Sequence, residues 1–169
     1  MALNTKHRSP DEFALALSGP LGQWGRAVDL ERGRLKGDEL DSDVRPADAA
    51  LFVIAVRNVV RVARAVAALR KDPQLDAAIA AVDAAVPGAH SVQGALDHVD
   101  AYAAHRGRFR RSYPTSAGYR IVNQRADGRD TIFIGELAFD VDLVAKAVQD
   151  LADATQKAIN RMVASEAPA

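Results

Sequence analysis

The sequence contains no cysteine, few aromatic residues and no long apolar run, and each absence excludes a class of protein. Without cysteine, disulfide scaffolds, cysteine-ligated zinc and thiol catalysis are excluded. Aromatic residues make up 5% of the chain, which is little for an all-β domain, whereas alanine is abundant, so the composition favours helices. The longest apolar run, residues 49–56, is far shorter than the roughly 20 residues that a membrane-spanning helix needs.

The charges balance over the whole chain but are unevenly placed along it. Lys and Arg number 22, as do Asp and Glu, which excludes a uniformly basic nucleic-acid binder but not a local basic patch. Residues 106–130 hold seven basic and two acidic side chains. The polar residues 1–10 lack the apolar core of a signal peptide. We therefore predict a cytoplasmic protein with one helical-bundle domain, residues 1–169, and no membrane contact.

Two regions of the N-terminal half carry helix signals. Ser9-Pro10-Asp11-Glu12 combines a capping hydroxyl, a proline in the first turn and two acids, which predicts a helix start. Gly19-Pro20 predicts a break in this helix, followed by a second piece over residues 21–35. Residues 47–70 carry the strongest helix pattern, which is apolar around most of its circumference. We expect this helix to lie at the centre of the bundle.

The C-terminal half predicts further helices and one hairpin. Apolar spacing indicates helices over residues 74–86 and 91–106. β-Branched and aromatic residues at 119–124 and 131–134, with Asp127-Gly128 between them, predict a β-hairpin.

A final helix is expected to open at Asp140. Apolar residues recur along one side of it: Val141, Val144, Val148, Leu151, Ala158 and Met162. The predicted fold class is therefore mainly α, a bundle of about five helices with a small β-hairpin before the C-terminal helix.

Three arginines interrupt the apolar surface of the predicted central helix. Arg57, Arg61 and Arg64 are spaced by four and three residues, which places them on one helix face. Such a row is most often a solvated or salt-bridged edge of a buried helix. A phosphate-facing stripe is the alternative.

A second motif lies near the start of the predicted helix 91–106. Gln93 and His98 are five residues apart, and this region resembles the motif helix of HEPN domains, helical bundles of which many are metal-independent ribonucleases. In that motif an Arg and a polar residue precede a His by four to six positions. His98 matches the motif His, whereas Gln93 stands in place of the Arg and Gly94 in place of the polar residue. The resemblance implies a homodimer in which the two motif helices meet.

The chemistry of RNA cleavage shows what this substitution changes. Attack by the ribose 2′-hydroxyl needs a proton acceptor and donor, which imidazole supplies, and a cation to offset the charge that develops on the phosphate. Gln93 brings no charge, so His98 alone leaves the phosphate uncompensated. The plain alternative is that His98 is an ordinary helix residue paired with Asp97 or Asp100.

The basic segment carries the third candidate site. Arg106, Arg108, Arg110 and Arg111 surround Phe109, a combination that grips a phosphate backbone and stacks a base. Cations that offset the dipole of a helix C-terminus give the same pattern without any nucleic acid.

Together these observations predict a non-catalytic binding or interaction protein. We expect it to resemble a degenerate HEPN domain that associates with itself and has RNA or a protein as a further partner, with no cofactor and no metal. One alternative is a metal-independent endoribonuclease that uses His98. The other is a regulatory bundle that binds a partner without nucleic acid.

Overall fold

Helices account for most of the residues that the structure describes. It is a computed structural model that describes residues 9–36, 45–86, 121–126, 129–134 and 137–165. Its helices are α1 (Pro10–Lys36), α2 (Arg45–Leu69), α3 (Pro73–Ala85) and α4 (Val141–Ser165). Its strands are β1 (Ile121–Ala126), β2 (Arg129–Ile134) and β3 (Leu137–Asp140).

The predicted fold class is confirmed, since the molecule is mainly helical and has a small antiparallel hairpin before the last helix. The further helix predicted over residues 91–106 lies outside the described residues. Whether the whole chain forms one domain therefore stays a prediction.

Helix α1 begins where the sequence predicts, because two residues cap each other. The backbone N–H of Glu12 donates to Ser9 Oγ at 3.2 Å, and the backbone N–H of Ser9 donates to Glu12 Oε2 at 3.0 Å. This reciprocal pair is a capping box, which satisfies backbone donors that the first helical turn leaves open.

The predicted break near Gly19 is wrong, since α1 continues through Pro20 to Lys36. A proline inside a helix lacks one backbone hydrogen bond and crowds the preceding turn, at a cost of about 3 kcal/mol. Ala14 on one side of it and Leu21, Val28 and Leu35 on the other are all buried. These residues recur every seven positions, so one straight helix places them on one face, and their burial offsets the defect at Pro20.

Helix α2 is the centre of the bundle, as its apolar pattern predicts. It contacts α1, α3, α4 and β1. Its buried apolar side chains are Ala49, Phe52, Val53, Ala55, Val56, Val59, Val62, Ala63 and Val66. A helix that packs on several neighbours needs apolar residues on several sides, which explains why this helix shows no single apolar stripe.

Helices α3 and α4 are each capped by an aspartate. Asp72 Oδ1 accepts the backbone N–H groups of Gln74 at 3.0 Å and Leu75 at 3.3 Å. Asp140 Oδ1 accepts the N–H of Leu143 at 3.0 Å. The start predicted for the last helix is therefore confirmed. Every member of its predicted apolar seam is buried, from Val141 to Met162.

The hairpin is present, and a third strand extends it. Strands β1 and β2 pair antiparallel with Ala126 opposite Arg129, and β3 pairs antiparallel with β2. Ile132 lies opposite Phe139, and both side chains are buried. Strand β3 has four residues, too few to show an alternating pattern in the sequence. Its last residue, Asp140, also caps α4, which ties the sheet to that helix.

Candidate binding site on helix α2

The motif residues and the basic segment predicted from the sequence lie outside the described residues. This applies to Gln93 and His98 of the resemblance. It applies equally to the predicted nucleic-acid contacts Arg106, Arg108, Phe109, Arg110 and Arg111. Their roles therefore stay predictions.

The arginine row of α2 lies within the described residues and forms one edge of a cavity. Arg57, Arg61 and Arg64 all line it, which confirms that they share a helix face. Arg61 is exposed, and Arg57 and Arg64 are half-buried. Arg61 therefore stands where the cavity meets solvent, whereas Nε of Arg57 is buried.

The walls of the cavity are mostly apolar and come from four elements. Helix α2 supplies Val53, Val56 and Val60, helix α3 supplies Val82, and Phe139 of β3 and Val144 of α4 complete the described wall. Sequence reasoning missed Phe139 and Val144 as neighbours of the arginine row. They lie some 80 residues further along the chain, and only the packing of β3 and α4 brings them to α2.

The size of the cavity limits what it can hold. The empty space is about 650 Å³, a volume that includes the open mouth. The volume that the centre of a water molecule can occupy is much smaller, about 50 Å³. One water needs roughly 10–15 Å³ by that measure, so the inner part holds a few waters or one short apolar group. Cofactors and drug-sized ligands occupy sites of roughly 300–1,000 Å³.

The charge along the cavity is positive, with one acidic exception. Arg64 Nη2 donates to Asp83 Oδ2 at 2.8 Å and to Oδ1 at 3.0 Å. This pair joins α2 to α3 and confirms for Arg64 the salt-bridged role that the arginine spacing predicts. Three arginines therefore face one aspartate among the described residues that line the cavity.

The described lining holds no group suited to catalysis. It contains no histidine, serine, threonine or lysine, and its single carboxylate is already bound to Arg64. General acid–base or nucleophilic catalysis needs such a group within reach of a substrate. Within the described part of the chain there is also no cluster of three or more His, Asp or Glu side chains that is able to hold a metal ion.

A second, more open groove lies at the other end of α2. Arg70, Lys71 and Arg161 line it together with Asp72. Arg161 donates to Asp72 Oδ2, and Arg70 donates to Ser165 Oγ at 3.1 Å. The bond from Arg161, with the two backbone N–H groups at the cap, lowers the pKa of Asp72 from its ordinary value. The Arg161 contact joins α3 to α4, and the Arg70 contact joins the segment after α2 to α4.

An ion cluster joins the end of α1 to the start of α4. Asp142 accepts from Lys36 Nζ at 2.7 Å and from Arg32 Nε at 2.7 Å. Both hydrogen bonds, that from Lys36 foremost, lower the pKa of Asp142 below its ordinary value. Basic groups at a helix C-terminus and an acid at a helix N-terminus also suit the two helix dipoles.

Comparisons with known proteins add no relative to this description. No protein-family model matches the chain, and neither the curated proteins nor the solved structures contain a significant match. No helix in the described ranges combines the length and the apolar character that crossing a membrane requires.

Proposed function

We propose that this chain is a non-catalytic binding protein and that the cavity beside Arg57, Arg61 and Arg64 is its docking site. Its partner is a protein segment that presents one short apolar side chain next to carboxylates. The observation that carries the proposal is the combination of an apolar pit with a cationic edge on the central helix. The lack of a catalytic group in the described lining supports binding over catalysis.

The narrow inner space favours a protein side chain over a small-molecule cofactor. A leucine or valine side chain fills a pit of this size, and full burial of such a side chain contributes about 1.5–3 kcal/mol. That contribution is too small to hold a partner alone, so contacts around the mouth must supply the rest. Aliphatic anchors in a pocket surrounded by polar contacts are a common arrangement at protein interfaces.

The charge at the mouth favours an acidic partner. Arg61 is exposed and extends the apolar surface with its aliphatic stem while its guanidinium stays in water. Guanidinium groups bind carboxylates in a two-pronged geometry. At the same edge, Arg64 binds the carboxylate of Asp83 through Nη2, so a partner carboxylate near Arg61 would meet the same kind of group.

The family resemblance supplies the finer parts of the proposal. A degenerate HEPN domain implies self-association through the helix that carries His98, and the seven basic side chains against two acidic ones in residues 106–130 support RNA as a second ligand. We therefore also propose that the chain forms a homodimer and that RNA is a second ligand. The alternative remains a ribonuclease that uses His98. It requires another residue to supply the positive charge that the motif Arg would provide, because Gln93 is uncharged.

The docking site is tested by NMR with isotopically labelled protein and a defined peptide. The probe is the blocked pentapeptide Glu-Glu-Leu-Glu-Glu, with matched peptides in which Ala replaces Leu or Lys replaces each Glu. We expect the probe to shift the backbone amide signals of Val56, Val60 and Val82 and the two matched peptides to shift them much less. Equal shifts with all three peptides, or shifts confined to other helices, would contradict the proposal.

Two variants locate the interaction. Arg61→Glu is expected to weaken the probe about three- to tenfold, because it reverses an exposed charge at the mouth. Arg26→Glu is the matched control, since Arg26 is also an exposed arginine and lies on α1, and it should leave binding unchanged. Val60→Phe should abolish binding by filling the pit while the protein stays folded.

A further inference from the structure

Two carboxylates are buried together where α1 meets the first turn of α2. Glu31 of α1 is 6% exposed and Asp48 of α2 is 4% exposed. Acidic side chains are almost never buried this completely unless they are paired, because burial removes the water that stabilises their charge. Asp48 is close enough to Glu31 to raise its pKa, both as a like charge and as a hydrogen-bond partner.

One arginine serves both acids. Arg34 Nη1 lies 3.1 Å from Glu31 Oε1 and 3.9 Å from Asp48 Oδ1. Glu31 Oε2 and Asp48 Oδ2 are buried and accept no hydrogen bond from any described residue. Among the described residues, two ionised carboxylates beside a single guanidinium leave one buried negative charge without compensation, and neither acid then has a hydrogen to donate to the other.

We infer that Glu31 keeps a proton in the folded protein at a pH where a free glutamate has lost its own, donates this proton to Asp48, and so forms a pH-sensitive link between α1 and α2. One proton removes the excess charge and turns the contact between two acceptors into a hydrogen bond. Loss of the proton at higher pH leaves two like charges facing each other in a buried joint.

The charged surroundings of Glu31 agree with this assignment. Burial raises the pKa of Glu31 most, Asp48 raises it further, and Arg34 opposes both, with a net shift upward. On α4, Asp142 is engaged by Lys36 and Arg32 from the last turns of α1. Arg34 and Asp48 are therefore the described charges that act directly on Glu31.

The sign of the pH effect follows from proton linkage. The ordinary pKa of the group is 4.5, and its value in the folded protein is higher, so the folded state binds more protons between the two. Stability is therefore highest below the ordinary value and falls as pH rises through the folded value. Within that window the unfolding equilibrium constant should rise up to about tenfold per pH unit from this one proton.

The experiment compares urea unfolding of the wild type and Glu31→Gln from pH 4 to 8. Gln mimics the protonated acid, so the variant should lose this dependence and become the more stable protein as pH rises. Asp29→Asn makes the matched acid-to-amide change at an exposed position of α1 and should follow the wild type. Parallel profiles of wild type and Glu31→Gln would overturn the inference.

A direct titration of the wild type keeps the test independent of the variant's folding. Carbon-13 NMR of the Glu31 side-chain carboxyl should show it titrating above its ordinary pKa of 4.5. Titration at or below that value would overturn the inference. A titration curve of Glu31 that changes when EDTA or calcium is added would also overturn the inference, because a bound cation would then hold the two carboxylates together.

Discussion

Arg64 and Asp83 form an ion pair that joins the C-terminal part of α2 to the end of α3, with Arg64 Nη2 lying 2.8 and 3.0 Å from the two carboxylate oxygens. The pair divides the arginine row of α2 into parts with different roles. Arg64 is committed to holding two helices together, whereas Arg61 extends into solvent at the mouth of the cavity.

A double-mutant cycle on Arg64→Gln and Asp83→Asn should give a coupling energy below about 1 kcal/mol. Both side chains are partly exposed, at 35% and 43%, and exposed ion pairs contribute little because water screens them. Urea unfolding of the four proteins measures the coupling, and high salt should reduce it. A coupling energy above about 2 kcal/mol would contradict this prediction, because it would mean that the pair is far less exposed to water than the structure shows.

Pro20→Ala should stabilise the protein by about 1–3 kcal/mol. Pro20 lies inside α1, and alanine restores a backbone donor and removes the crowding of the proline ring, partly offset by a more flexible unfolded chain. Pro73→Ala is the control, because Pro73 occupies the first position of α3, where proline is favourable. If the two changes have equal effects on thermal or urea unfolding, Pro20 does not destabilise α1 and the prediction is wrong.

Leu151→Ala should destabilise the protein by about 2–4 kcal/mol through lost burial and a cavity. Leu151 is fully buried in the α4 seam, whereas Leu143 on the same helix is 60% exposed. Leu143→Ala should therefore change the free energy of unfolding by less than about 0.5 kcal/mol. Similar losses at the two positions would mean that α4 buries a different face.

Asp72→Ala should cost about 1 kcal/mol, because it removes the cap of α3 and the partner of Arg161. The pKa of Asp72 is lowered in the folded protein, so its contribution is present above its ordinary value of 3.8 and is lost as pH falls through the lowered one. Urea unfolding between pH 2 and 6 should show wild type and variant converging in acid. A difference that stays constant over this range would contradict the assignment.

The purified protein should show no metal-independent cleavage of single-stranded RNA. Gln93 offers no charge to offset the one that develops on the phosphate during cleavage, so His98→Ala should change nothing. The measurement is gel analysis of a labelled RNA incubated in EDTA, with His90→Ala as a second histidine variant. Robust cleavage by the wild type that is lost only in His98→Ala would make the ribonuclease the better proposal.

Local patterns predicted the helices whose signals lie within a few residues. The capping box at Ser9 and Glu12, the cap at Asp140 and the apolar seam of α4 depend on neighbours three or four positions apart, so the sequence reveals them directly. Strand β3 was missed because it has only four residues. The predicted break near Gly19 was wrong because the burial that α1 gains against its neighbours offsets the local cost of Pro20. That burial involves residues far away in the chain, so the local pattern does not reveal it.

The candidate site shows the same division. By its spacing alone the sequence determined the mainly helical fold, the central place of α2 and the shared face of Arg57, Arg61 and Arg64, since helix periodicity is a local property. Only the tertiary structure decided that Phe139 and Val144 close a cavity beside those arginines, that Asp83 binds Arg64, and that Glu31 and Asp48 meet around Arg34. Contacts between residues far apart in the chain depend on how the helices and strands pack against each other. The free energy of this packing comes from many side chains together, so no short stretch of sequence reveals it.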